Sequence, residues 1–251
     1  MNLTASAPLK ASSFFSHPSL AVKYNNILLL PGPGHYEINM VKALFKLLWD
    51  VGLLDLAKML GFVSIKALQA CQDHHKSWQI LQIFMFATAQ ELLTVFCKEQ
   101  VKQKSPVSAV GYYKWLLGVQ NKNYSLMSEI VFTYCLALHV FRAGVRRNNT
   151  AAIQTAKVKF SPLFFGLNMP FYMKTFVRDL FVRVQCPPEV LAFIVENESY
   201  SVSGNESEGG DFILENYNRK TKRIIPAGLP YNKWLEVCRN VNRLDKVIKD
   251  N

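Results

Sequence analysis

Between Glu37 and Leu60 apolar residues are dense, while Lys42, Lys46 and Asp50 recur every four positions as a narrow polar stripe. Four-residue spacing puts side chains on one face of an α-helix. Nearly all of this helix's circumference therefore needs an apolar surrounding, and further helices must be wrapped around it. The sequence supplies them. A shorter helix is predicted from Ser64 to about Gln72, and a long one from Ser77 to Lys102 around Trp78, Leu81, Phe84, Met85, Leu92 and Phe96. Two more follow, Gly111 to Val119 and Ser125 to Arg147, the latter with Met127, Ile130, Val131, Tyr134, Leu138 and Phe141 on one broad face. Gly61, Pro106 and Asn148-Asn149 punctuate the series.

The flanks read differently. Residues 1–24 read as an irregular N-terminus. Ile27 to Leu30 is a short apolar run between Asn25-Asn26 and Pro31-Gly-Pro-Gly34, the pattern of a buried strand ending in a tight turn. Beyond Pro162 regularity falls, with a strand expected at Phe181 to Gln185 and a short helix at Glu189 to Asn197 opened by Pro188. A polar loop from Ser199 to Gly210, a helix from Asp211 to Lys222 and a terminal helix from Tyr231 to Lys249 complete the chain. The expectation is a mostly helical α+β protein with few short strands: one domain over residues 25–251, helical from 36 to 150 and mixed from 151 to 251.

Half of the 251 residues are hydrophobic and 19% are charged, which is too apolar for a disordered polymer. Five cysteines are too few for a disulfide-stapled module, and none forms a CxxC pair. Cys71 stands near His74-His75, but a second ligand pair at zinc-finger spacing is missing. The cysteines read as buried thiols in a reducing compartment. Sequons such as Asn197-Glu-Ser199 occur, yet no signal peptide precedes them. The longest uncharged apolar run, Ile130 to Val140, holds His139 and falls short of the roughly 20 residues of a membrane span. A nuclear or cytoplasmic protein is expected, neither secreted nor bound to a membrane. The usual signatures of nucleotide hydrolysis, dinucleotide binding and α/β-hydrolase chemistry are absent.

The net charge of +11 is unevenly placed. Residues 130–178 hold Arg142, Arg146, Arg147, Lys157, Lys159, Lys174 and Arg178 with no acid. Residues 184–218 hold Glu189, Glu196, Glu198, Glu206, Glu208, Asp211 and Glu215 with no base. Such neighbours suit a polyanion-binding surface beside a carboxylate cluster, or two solvated faces that pair with each other. Asp211 and Glu215, four apart, would share a helix face from which two carboxylates can hold a divalent ion; a solvated acid pair has the same spacing. His35, after the strand and turn, is placed to reach a strand's C-terminal edge or to cap a helix.

Several segments together carry a resemblance: Leu30-Pro-Gly-Pro-Gly-His35 running to Trp49-Asp, Asp73-His-His-Lys-Ser-Trp78, Phe141-Arg-Ala-Gly-Val-Arg-Arg-Asn-Asn149, Ser199-Tyr-Ser-Val-Ser-Gly204, Gly209-Gly-Asp-Phe-Ile-Leu-Glu215-Asn-Tyr-Asn218 and Trp234-Leu-Glu-Val-Cys-Arg-Asn240. From about residue 25 to 245 the chain resembles domain-of-unknown-function family 6589, found in multicopy invertebrate genes that look derived from mobile elements. More distantly it is similar to the C-terminal part of RNase H-like, Mutator-like transposases. That second resemblance implies a partial RNase H-like architecture with a large helical insertion. In it His35 would start a helix, the helices from about 37 to 147 would be the insertion, and Glu215 with Asn218 would close the catalytic site.

Such enzymes hold two divalent ions with three carboxylates. The first two normally precede the His-containing segment, and residues 1–34 contain no Asp or Glu. The resemblance thus implies the later part of a longer transposase-like protein, with His35 and Glu215 vestigial, Glu215 the one remaining ligand of the three and no cofactor held; the spacing adds Asp211 beside Glu215 as a candidate metal ligand, and Mg²⁺ is the ion a complete site would take. The expected function is sequence-independent nucleic-acid binding by Arg142, Arg146, Arg147, Lys157, Lys159, Arg219, Lys220, Lys222 and Arg223. One alternative is a non-catalytic interaction domain presenting Tyr112, Tyr113, Trp115, Phe164 and Phe165 to a protein partner. Another is a metal-dependent nuclease built on Glu129, Asp179, Asp211 and Glu215.

Overall fold

The structure, a computed structural model, describes residues 30, 32–201, 206–216, 236 and 239. The chain divides after Gly210 into two compact units, where the sequence suggested one body from residue 25 onward. Among the described residues of the first unit ten α-helices follow one another: α1 (Pro33–Leu48), α2 (Leu53–Met59), α3 (Ile65–Gln69), α4 (His74–Gln103), α5 (Ala109–Leu116), α6 (Lys122–Glu129), α7 (Leu136–Arg146), α8 (Thr150–Gly166), α9 (Pro170–Gln185) and α10 (Pro188–Glu196). In the second, residues 211–216 are helical. The predicted N-terminus at 1–24, most of the 27–30 strand, the terminal helix at 231–249 and Cys238 lie outside the described residues.

The apolar circumference of α1 is met as expected. Tyr36, Met40, Leu44, Phe45 and Leu48 are all at most 1% exposed and pack with Phe84 of α4, Phe141 of α7 and Phe160 and Phe164 of α8. Tyr36 stacks on Phe141 at 5.8 Å and meets Phe164 edge-on at the same distance, while Phe160 and Phe164 lie 5.0 Å apart. The helix starts at Pro33, whose missing N–H and fixed φ suit a first turn. His35 therefore lies on that first turn. The predicted continuation to Leu60 is broken by a short 3₁₀ turn, Trp49–Val51, and by Gly52, where a Cβ would stand 3.0 Å from the Phe84 ring.

Helices α7 and α8 form the closest pair, an antiparallel hairpin turned by Arg147 to Asn149. Gly144 permits this approach: a Cβ there would meet Ile153 Cγ1 at 3.0 Å and the Ile153 nitrogen at 3.1 Å. Asn148 takes a positive φ of 49°, which asparagine tolerates, and the Asn149 side chain caps α8 by accepting from the Ala152 N–H at 3.0 Å. Helices α6 and α7 are joined without interruption by a π-helical stretch, Ile130–Cys135.

Two expectations for the later part are corrected. Phe181 to Gln185 is helical, since Pro170 opens α9 and the Asp179–Arg183 pair, four apart, carries it through the alternating stretch. Among the described residues the nearest thing to a strand is an isolated antiparallel bridge between Tyr200 and Glu208, so their fold is α and lacks the few short strands anticipated. Nor does Pro162 end α8. Proline removes the N–H that would bond the Val158 carbonyl, and the Ser161 hydroxyl donates to that carbonyl instead, at 2.9 Å.

Among the described residues two helices, His74–Gln103 and Lys122–Arg146, could cross a membrane by length and composition, whereas the sequence expectation counted only uncharged runs. Each also gives a face to the core, through Trp78, Ile80 and Leu81 in the first and Ile130, Leu138 and Phe141 in the second.

Buried charge joins the last helices of the unit. The Lys157 ammonium donates to Asp179 at 3.0 Å and to Glu198 at 3.1 Å, and Arg183 donates to the same two carboxylates at 3.1 and 2.7 Å. The four side chains are between 1% and 10% exposed.

Candidate functional site

Helix α7 ends in three arginines. Arg142 and Arg146 are one turn apart and Arg147 is the C-cap, where the helix dipole favours cations. Helix α4, started by the Asp73 side chain accepting from the Lys76 N–H, brings Trp78 and Gln82 opposite them. Between these helices opens a cleft of about 670 Å³ lined by Trp78, Gln82, His139, Arg142, Arg146, Arg147 and Glu206.

The three guanidiniums are not equivalent. Arg142 lies over the Trp78 ring, 4.3 Å from its centroid, and donates to Glu37 at 2.9 Å. The same Glu37 oxygen is 3.0 Å from His74 Nε2, and since a carboxylate only accepts, that nitrogen carries the hydrogen. Burial lowers the affinity of Arg142 for its proton, Glu37 opposes the shift, and a guanidinium remains charged in a protein. Its charge is answered by Glu37, so Arg142 shapes the cleft wall, while Arg146 and Arg147 are exposed at the mouth.

Residues 199–201 and 206–208 lean across that mouth. Tyr200 and Glu208 exchange two backbone hydrogen bonds, Ser207 N–H donates to the Arg146 carbonyl at 2.8 Å, and Ser199 donates to the Asn148 side chain at 3.0 Å. These bonds hold the Glu206 carboxylate 3.4 Å from Arg146, with both side chains well exposed. Among the described residues Arg147 has no ion pair. An anion entering the cleft meets Arg147 directly and competes with Glu206 for Arg146.

His139 sits 4.8 Å from Trp78 on the cleft wall. Burial and then the Arg142 cation hold it below its ordinary value, against the opposing pull of Glu37. The unfolded chain, with an imidazole near pH 6.5, takes up that proton more readily, so acid favours unfolding and this contribution to stability is fully present only above about pH 6.5. The thermal midpoint is expected to fall between pH 7 and pH 5, and His139→Gln to remove part of that fall. An unchanged slope in the variant would contradict the assignment.

Of the basic residues proposed from sequence, Arg142, Arg146 and Arg147 come together here. Lys157 does not join them: at 1% exposure and held by two carboxylates it is a core residue, which corrects its place on a phosphate-binding surface. Lys159 is exposed but lines a separate groove of about 390 Å³ with Tyr113, Phe132, Leu136 and Val140. Arg219, Lys220, Lys222 and Arg223 lie outside the described residues. Of the aromatics expected at a protein-binding surface, Tyr112 and Phe164 are buried while Tyr113 and Phe165 are exposed.

His35 is exposed. Asp211 and Glu215 share the 210–216 helix as predicted. The described residues contain no group of three His, Cys, Asp or Glu able to hold a metal ion, and Asp179, counted among the nuclease acids, is occupied by Lys157 and Arg183.

Sequence reasoning did not single out Glu37, Gln82, His139 or Glu206 for this site. Glu206 had one signal: the acid-only and base-only stretches do pair with each other, at Arg146–Glu206 and Lys157–Glu198. The chain matches no family model, no curated protein and no solved structure.

Proposed function

We propose that this chain holds nucleic acid through its phosphate backbone, without reading sequence and without cutting the strand. The observation that carries the reading is the cleft at the end of α7, where two exposed arginines stand side by side on a frame fixed by Trp78, Arg142 and Glu37. Arginine matches phosphate geometry and stays charged at any working pH. Phosphate contacts of this kind position a strand and carry no base information. The chain's charge of +11 adds attraction at longer range. The resemblance to mobile-element-derived proteins agrees, and Asp179, one of the candidate nuclease acids, is already held by Lys157 and Arg183.

The test is retention of labelled oligonucleotides by the full chain in Mg²⁺ across a salt series, with the strands then run on a denaturing gel. Affinity should fall steeply as salt rises, through counterion release, and the strands should remain whole. Salt-insensitive affinity, or cleavage lost on Glu215→Ala, would overturn the proposal.

A second reading is favoured by the groove of Tyr113, Phe132, Leu136 and Val140, whose apolar lining suits a protein partner. Reversing charge at Arg146 and Arg147 separates the two, since partner binding in that groove would survive it.

A further inference from the structure

Beside the cleft, an exposed aromatic that phosphate binding alone does not require packs against one of its lining residues, His139. Trp78, Gln82 and Phe86 follow one another at four-residue intervals along α4 and so share one line on its surface. The indole of Trp78 is spent within the fold: it is 7% exposed and carries Arg142 on its face. Phe86, two turns further on, is 59% exposed. Its ring is held edge-on by His139 at 5.9 Å, and His139 in turn rests on Trp78. A row Arg142–Trp78–His139–Phe86 thus runs from the buried wall of the cleft to open solvent, and its last member is an aromatic ring supported from within.

We infer that the cleft takes an unpaired nucleotide, with the base stacked on Phe86 and the neighbouring phosphates on Arg146 and Arg147. The inference rests on the nucleic-acid reading above and adds strandedness to it. In a closed duplex each base face is covered by its neighbours, and a side chain meets only phosphates and groove edges. In a single strand every base offers a π-face, and a basic groove with an aromatic platform is the arrangement that holds it without sequence preference. Gln82, between the two rings on α4, brings one amide that both donates and accepts, so it can bond any base edge. The entering phosphate displaces the Glu206 carboxylate from Arg146, an exchange of one anion for another across a solvent-exposed pair.

Fluorescence anisotropy of the full chain at low salt tests this with labelled oligothymidine, its duplex with oligoadenine, and the corresponding RNA strand. Single strands of either sugar should bind more tightly than the duplex. Phe86→Ala should weaken single-strand binding about 5- to 100-fold, the effect of one stacked base, and leave duplex binding unchanged. Phe86→Leu, which keeps an apolar surface residue without a π-face, should behave like Phe86→Ala, and Phe86→Trp should restore binding. Equal affinity for single strand and duplex, or a Phe86→Leu variant that binds as the parent does, would overturn the inference while leaving phosphate binding intact. Failure of every nucleic acid to bind with salt dependence would instead remove the reading on which it rests.

Discussion

Replacing Lys157 by methionine is expected to destabilise the first unit by about 3–5 kcal/mol, the cost of leaving buried carboxylates without their cation. Methionine fills nearly the same space, so little of the effect comes from a cavity. Asp179 and Glu198 would face each other with only Arg183 between them, in a site at most 10% exposed. The network already leaves one Glu198 oxygen without a hydrogen-bond partner and has no bond to spare. Urea unfolding would show the loss as a lower midpoint at unchanged slope. Adding Asp179→Asn and Glu198→Gln to Lys157→Met should return much of it, because the charges that made the vacancy costly are then gone. A single variant within about 1 kcal/mol of the parent would mean that the carboxylates protonate or rehydrate freely.

The double reversal Arg146→Glu with Arg147→Glu should reduce nucleic-acid affinity by at least about 100-fold at low salt. Each charge-assisted bond is worth about 1.5–3 kcal/mol, and about 1.4 kcal/mol is tenfold in affinity, before the repulsion of two introduced carboxylates is counted. Both side chains are exposed, so the thermal midpoint should hardly move. Lys159→Glu, on a separate groove, is the control and should cost far less. Equal losses from the double variant and the control would show that net charge, not this cleft, does the binding.

The helical framework was legible because its signals are local and repeated. The apolar spacing around Trp78, Leu81 and Phe84 placed α4 within a turn of its ends, and the polar stripe of α1 announced a buried helix. What misled was punctuation that tertiary structure overrides. Pro162 is read as a break by any local rule, yet one serine hydroxyl takes over the lost bond. The alternation at Phe181 to Gln185 suits a strand until Asp179 and Arg183 are seen to be joined through Lys157 and Glu198. The cleft was half visible: three arginines crowded at a helix end stand out in sequence. Glu37, 105 residues from Arg142, could not be assigned to it from a pattern along the chain.

The π-helical stretch between α6 and α7 carries a consequence for variation by insertion and deletion. A π turn holds one residue more than an α turn, so Ile130–Cys135 works as an inserted spacer in an otherwise continuous rod. Losing one residue there would let the rod close into plain α-helix with its later turns at nearly the same azimuth, whereas losing one at the start of α7 would rotate everything after it by about 100°, the angle of one residue in 3.6 per turn. In that second case Phe141 would swing off Tyr36, Gly144 would no longer face Ile153, and Arg142 would leave Trp78. The six π-helical positions can therefore give up one residue and keep the second half of the rod in register, while the plain helix after them cannot.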